Sequence, residues 1–316
     1  VGNPTDGYGG TVISSSLSER AVAELLPADD LVLEICGYQE RIGGAEDLAL
    51  NGSYADVAKA VLTMFDRGVT ERRFHLKAWT AIPMQAGLAG STAMLTAILG
   101  GVLRALEIRL SPYEIAETAR HIEFNILNCV CGFQDQYMAV FGGLSYMDFR
   151  DKDPRAPMDP VFATVENLEP FLGEMPLILA NTGVQRHSGS VHKGLRERWI
   201  DREAEVVEGY RRIARLARDA KKAMLAGDWK CVGAAMNENH AIQRDLGGSG
   251  EANERLIAAA LEGGALGAKL AGAGKGGTIV AVHEDPDDLG RKLEAAGAAR
   301  VLKVVPSEGL VVEGQF

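Results

Sequence analysis

A glycine-rich turn running straight into an apolar helix sets the tightest limit on what this chain can be. Residues 83–93 read PMQAGLAGSTA, and helical apolar spacing continues over 91–106. Glycine lets backbone N–H groups crowd against an anion, and a helix start adds the positive end of its dipole. Two hydroxyls, Ser91 and Thr92, stand where they reach an oxygen or a metal. The string therefore reads as a phosphate cradle built from Pro83, Gln85, Ala86, Gly87, Leu88, Ala89, Gly90, Ser91 and Thr92. It is not a P-loop, because the spacing departs from GxxxxGK[ST] and no lysine follows Gly90. Taken alone, the same string fits a tight turn with Ser91 as N-cap better than a ligand site, so the rest of the sequence has to decide.

Composition narrows the classes. With 316 residues the chain can bury a sizeable core in one large or two medium domains, and 47% hydrophobic with 24% charged residues is ordinary globular composition. A formal net charge of -10 without runs of Lys or Arg argues against nucleic-acid partners. No apolar run has the roughly 18 residues of a membrane helix, and no secretory leader pattern opens the chain. Cys36, Cys129, Cys131 and Cys231 have no zinc spacing and read as buried free thiols of a reducing compartment. A cytoplasmic, soluble protein is expected.

Strand-like runs are expected at 11–15, 31–36 and 73–81, with a helix over 54–66. Ser111, Pro112 and Glu114 form a capping box with proline at the first helical position, which predicts a helix over 112–125. A strand over LSYMDF is followed by an Asp- and Pro-rich loop at 151–160, taken as the junction between domains 1–155 and 156–316. Beyond it the pattern predicts a strand at 175–180, one long helix over 191–225 and further helices over 229–242, 252–262 and 287–296. Strands are expected through the glycine string near 270 and at 300–305. That order is α+β.

Two more glycine strings, GNPTDGYGG at 2–10 and KLAGAGKGGT at 269–278, flank the cradle at wide spacing. In order and spacing, the three strings resemble the motifs of the GHMP kinases, the family of galactokinase, homoserine kinase, mevalonate kinase and phosphomevalonate kinase. GNPTD, PMQAGLAGSTA, GFQDQYMAVFGGLSYMDF at 132–149 and NTGVQRHSGSVHKGLRERW at 181–199 are most similar to the kinases of glucuronic acid. QDQY and a TGxxR element also resemble the heptose phosphate kinases. The resemblance spans nearly the whole chain. It implies a two-domain α+β GHMP kinase fold with the active site in the interdomain cleft, ATP and Mg2+ as cofactors and a small sugar or sugar acid as partner. It leaves room for a homodimer. In the family a strand just upstream of the first motif carries a Lys or Arg facing the transferred phosphoryl group. Here the motif opens beside Val1, and that cation is not visible; a shortened chain and a lost strand both fit.

The resemblance also assigns roles. Asp135 falls on the family's catalytic aspartate, the acceptor of the substrate hydroxyl's proton, although by sequence alone a cap for a helix beginning at Gln136 fits equally well. Ser91 matches the metal-side serine. Glu123, twelve residues before Asp135, is the carboxylate expected at the metal, against the alternative of a solvated helix face. Asp6 matches the acidic residue lying against sugar hydroxyls, with an Asx turn as the other reading. Gly272, Gly274 and Gly276 would edge the phosphoryl group and substrate, and Lys275 is placed toward solvent or phosphate. Among the cations at 186–198, Arg186 is the candidate partner of a sugar-borne anion. Arg196 and Arg198 point roughly 200° apart on a helix and cannot share one site. Most of that run reads as a solvated face paired with Glu197, Asp201 and Glu203. Two further readings stand beside a uronic acid kinase: a heptose phosphate kinase, and a nucleotide- and sugar-binding regulator of the same fold without turnover.

Overall fold

Alternation decides the first sheet. In β3 (Leu31–Ile35) and β5 (Phe74–Thr80) every second side chain is buried, so Leu31, Leu33, Ile35, Phe74, Leu76 and Ala78 form one apolar face. The two strands run parallel at the centre of a sheet ordered β2-β5-β3-β4, with β2 at Ala21–Pro27 and β4 at Tyr38–Ile42. Two helices cover that face: α1 (Asp56–Met64) and α2 (Gly90–Ala105), the latter through Met94, Leu95, Ile98, Leu99 and Val102. Each such side chain taken fully out of water contributes about 1.5–3 kcal/mol. The core therefore fixes the direction of α2, and with it the place of the glycine turn. The structure is a computed structural model, and it describes residues 1–65, 73–83, 86–153, 155–156, 161–184, 188–272 and 274–314, excepting the side chains of 188–193.

A second, antiparallel sheet of order β1-β6-β7 joins β1 (Thr11–Ser15), β6 (Leu144–Asp148) and β7 (Thr164–Asn167). Helices α3 (Pro112–His121) and α4 (Gln134–Phe141) pack together beside it. The third sheet, ordered β11-β8-β10-β9, holds β8 (Leu177–Asn181), β9 (Gly267–Leu270), β10 (Thr278–Val282) and β11 (Arg300–Lys303). Around it lie α5 (Ser188–Ile200), α6 (Ala204–Leu225), α7 (Trp229–Asp245), α8 (Glu251–Glu262) and α9 (Pro286–Ala295). Ile13, Leu144 and Tyr146 of the second sheet share one apolar cluster with Met224, Val232, Met236 and Val282, so the two halves meet through a common core. The end of the chain returns to the first half: Leu310 donates its N–H to Val140 O at 3.0 Å, and Arg20 Nη2 reaches Gly309 O at 2.8 Å. The proposed division near 155 lies between β6 and β7, which pair with each other.

Several expectations need correction. The long helix over 191–225 is two helices, because Arg202 takes a left-handed conformation with φ 58° and the Arg198–Glu203 pair spans the break. The capping box at Ser111 and Glu114 forms as expected, but the α-helix ends at His121 and passes into a π-helical turn, Ile122–Ile126. The third glycine string is strand only at its ends: Lys269 and Leu270 belong to β9 and Thr278 opens β10, and the described residues between them are not strand. The cysteines are free but not buried, with Cys36 and Cys231 exposed and Cys129 and Cys131 half-buried. Among the described residues no helix is long and apolar enough to cross a membrane.

Candidate active site

Among the described residues no N-cap side chain closes the start of the cradle's helix, which leaves it open to an anion. Helix α2 begins at Gly90 behind Ala89, a non-glycine residue held left-handed at φ 56°, and no side chain caps the first turn. Ser91 is therefore not the N-cap: it is the second helical residue and stands exposed. The first-turn N–H groups and the dipole end face the cleft, which suits phosphate. Gly90 packs closely, since a Cβ there would lie 3.2 Å from Ile82 Cγ2. Thr278 donates its hydroxyl to Ala86 O at 2.8 Å, which ties the turn to β10. Pro83 leads into it half-buried, while Gln85 lies outside the described residues.

Behind Ser91 the next hydroxyl turns inward. Thr92, 2% exposed, donates to Glu123 Oε2 at 3.0 Å, and Gln136 Nε2 donates to the same oxygen at 2.8 Å. Glu123 sits on the π-helical turn and is 8% exposed, which removes the solvated-face reading. Burial pushes its carboxyl up from the ordinary range, while the bonds from Gln136 and Thr92 pull the other way. A carboxylate has about four acceptor sites, so Glu123 keeps room for a further partner. Among the described residues no group of three His, Cys, Asp or Glu forms a metal site. An all-oxygen set of one carboxylate, the Ser91 hydroxyl and substrate phosphates nevertheless suits Mg2+, which keeps most of its ligands as water and phosphate.

The opposite wall starts from Asp6, in a short 3₁₀ turn, Thr5–Tyr8. Its Oδ2 accepts N–H bonds from Phe133 at 2.8 Å and Gln134 at 2.9 Å, the two residues that begin α4. Asp6 is thus a receptor for a helix start in place of an Asx turn. Burial raises its pKa, and those two N–H groups oppose the rise. Gly132 makes the approach possible, because a Cβ there would overlap the carboxylate, with Asp6 Cγ only 2.7 Å away. Helix α4 begins at Gln134 with Phe133 as N-cap, so Asp135 is a second-position residue and not a cap; it is exposed on the cleft wall.

The third glycine string continues that wall, joined to the first through Asn3, and its glycines divide. Gly272 lines the cleft. Gly274 and Gly276 are buried and turn toward protein: a Cβ on Gly274 would overlap Gly248 O, and one on Gly276 would meet Val184 O at 2.9 Å. Asn253 holds Gly276 by both backbone groups, accepting its N–H at 2.6 Å and donating to its carbonyl at 3.1 Å. Lys275 is exposed with φ 57°. Asp6, the turn 86–92, Glu123, Asp135 and Gly272 thus border one cleft.

Arg186 lies outside the described residues. Arg198 is taken by Glu203 and by Leu246 O at 3.0 Å. Arg196 lies over the Phe124 ring at 5.1 Å and lines a notch with Asp6, Tyr8 and Gly132, so it is not part of a wholly solvated face. Sequence reading also passed over Gln136, Asn3 and Lys269. The first of these sits in the same GFQDQ string as Asp135, and the other two lie at the head of the first and third glycine strings, so the signal was adjacent.

Comparison with known proteins places the chain in a family. The GHMP kinases N terminal domain matches residues 48–143, and the GHMP kinases C terminal domain matches 220–300. The chain is 28% identical over 315 residues to probable glucuronokinase 2 of Arabidopsis thaliana, covering 92% of this chain and 83% of that one. It is 24% identical over 284 residues to the D-glycero-alpha-D-manno-heptose 7-phosphate kinase of Campylobacter jejuni, covering 86% and 81%. The solved Lactococcus lactis galactokinase with galactose superposes with a TM-score of 0.74 at 20% identity, over 98% of this chain and 90% of that one. The chain belongs to the GHMP kinase family, whose members use ATP as phosphoryl donor. It is an ATP-dependent kinase with the two-part α+β fold of that family.

Proposed function

We propose that this kinase transfers the γ-phosphoryl group of ATP to a hydroxyl of a sugar acid, with glucuronate, phosphorylated at its anomeric hydroxyl, as the model acceptor. The observation that carries the reading is the joint placement of two carboxylates at the start of α4. Asp6 binds the N–H groups of Phe133 and Gln134, and Asp135 follows immediately on the cleft wall. A carboxylate that accepts two hydrogen bonds still has lone pairs for sugar hydroxyls, and its neighbour takes the proton. The likeness to a glucuronokinase supports the acid over a neutral sugar.

The chain's own parts then divide the work. The uncapped first turn of α2 binds the donor phosphates, and Ser91 and Glu123 are the residues that would hold Mg2+. When bound, Mg2+ neutralises charge that builds on the phosphate oxygens. Asp135 accepts the proton released as the acceptor oxygen bonds to phosphorus and the bond to the ADP oxygen breaks. Gly272 borders the acceptor, and Gly274 and Gly276 shape that border from behind.

A coupled assay with ATP and Mg2+ on glucuronate, galacturonate, galactose, arabinose, heptose phosphates and mevalonate tests the reading. Turnover of glucuronate above all others is expected. Preference for a heptose phosphate would select the second reading, which the 24% identity to a heptose phosphate kinase favours. Absence of turnover on every acceptor would sink the kinase assignment in favour of a binding role. Arg186→Ala and Arg196→Gln, each compared on glucuronate and glucose, then identify the cation that reads the carboxylate. Loss of roughly tenfold or more on the acid alone is the expected signature, and equal losses on both sugars would remove that arginine.

A further inference from the structure

Lys269 is 1% exposed in β9, at the head of the third glycine string. Its Nζ donates to Asn3 Oδ1 at 2.6 Å and to the Leu270 carbonyl. Burial pushes its ammonium down to about 7, and among the described residues no carboxylate offsets that fall. A buried ammonium without a counter-charge is costly, and a methionine of similar length would fill the space more cheaply. What the lysine adds is a directed bond to Asn3. Asn3 in turn donates from Nδ2 to Ala271 O at 3.0 Å and Gly272 O at 3.3 Å, the cleft side of the third string. Asn239 on α7 closes the arrangement, accepting the Gly2 N–H at 2.9 Å and donating to Asn3 O at 3.3 Å. The same short segment carries Asp6, three residues on, and Asp6 holds the start of α4.

We propose that Lys269 is a positioning residue for phosphoryl transfer, pinning the first glycine string, through Asn3, against Gly272 so that Asp6 and the third string face the acceptor as one rigid wall. The kinetic part of this inference rests on the sugar kinase reading above; the structural part does not. Lys269 borders the cleft beside Asn3, and in this reading it acts through that residue. Its effect travels by way of Asn3, and removing either partner should loosen the same contact.

The test uses the full chain with Lys269→Met, Asn3→Ala and the double variant. Hydrogen exchange needs no acceptor. The amides of Gly2 and Thr5 should exchange at least tenfold faster in each variant, while those of β3 and β5 keep their protection. With the preferred acceptor, kcat/KM should fall at least tenfold, the Kd for ATP should stay within twofold, and the double variant should be no worse than the poorer single one. Unchanged exchange at Gly2 and Thr5, or losses that multiply in the double variant, would overturn the proposal. If Lys269→Met fails to fold, Asn3→Ala alone decides by the same readouts. If no sugar is turned over, the functional reading fails while the exchange data still judge Lys269.

Discussion

Replacing Gly132 by alanine puts the joint between the two substrate-side carboxylates to a direct test. Gly132 has no need of unusual backbone dihedrals; what it supplies is space. A Cβ there overlaps the Asp6 carboxylate and lies 2.7 Å from Asp6 Cγ, while the Asp6 backbone is fixed in a buried turn. The carboxylate must retreat, giving up its bonds at 2.8 Å and 2.9 Å to the Phe133 and Gln134 N–H groups. Hydrogen bonds to a charged acceptor contribute about 1.5–3 kcal/mol each, and partial relaxation recovers some of that, so a loss of about 3 kcal/mol is expected. The same shift moves the first turn of α4, which carries Asp135, and displacements near 1 Å at a reacting group cost on the order of 10²-fold in rate. Denaturant unfolding and steady-state kinetics measure both effects. Gly194→Ala is the matched control: nothing lies within 4 Å of its new Cβ on α5, and alanine in a helix should stabilise by about 1 kcal/mol. A Gly132→Ala protein with wild-type stability and kcat would show that Asp6 does not hold α4, and the account of the acceptor wall would fail with it.

Three other outcomes are expected. Asp135→Asn should keep ATP affinity and lower kcat by roughly 10²–10⁴, measured in single-turnover mixing; near-normal rates would take Asp135 out of the proton transfer. Ser91→Ala should raise the Mg2+ concentration needed for half-maximal rate without harming stability, because the side chain is exposed and caps nothing; an unchanged Mg2+ titration would remove the hydroxyl from the metal. For Lys269 the folded pKa is depressed from 10.5 to about 7, so the unfolded chain binds the proton more readily at intermediate pH. The contribution of Lys269 to stability should therefore fall as pH drops from about 10.5 toward about 7 and level off below, by at most about 1.4 kcal/mol per pH unit, while the buried Val1 amine beside it adds a separate fall below about 8. Lys269→Met should flatten that slope in denaturant titrations at pH 7 and 9, and an identical slope in both proteins would refute the burial argument.

Elements with a strong local signature were legible in the sequence. Apolar spacing gave α2 and α6, alternation gave β3 and β5, and the Ser111–Glu114 capping box is formed. Polar edge strands were not legible, because β4 (YQERI) and β7 (TVEN) owe their conformation to a neighbour's hydrogen bonds and not to a buried face of their own. The break in the 191–225 helix escaped for a related reason. No Gly or Pro marks it; a left-handed arginine does, stabilised by an ion pair across the bend that periodicity does not register.

The site shows the same division more sharply. Glycine strings announce where backbone approaches something closely, but not what it approaches. Gly272, Gly274 and Gly276 look alike in sequence, yet one borders the cleft and two are spaces for Gly248 and Val184. Gly132 was read only as part of a string, although it is the residue that admits Asp6 to the start of α4. Likewise Glu123 fits either a metal carboxylate or a solvated helix face in sequence, until the π-helical turn brings it under Thr92 and Gln136. Pairing Asp6 with residues 133 and 134, or Lys269 with Asn3, depends on which turns the three sheets bring together. Those contacts span more than a hundred residues of chain. A single sequence names the chemistry of such groups; their partners follow only from the packing that brings the first and third glycine strings to one wall of the cleft.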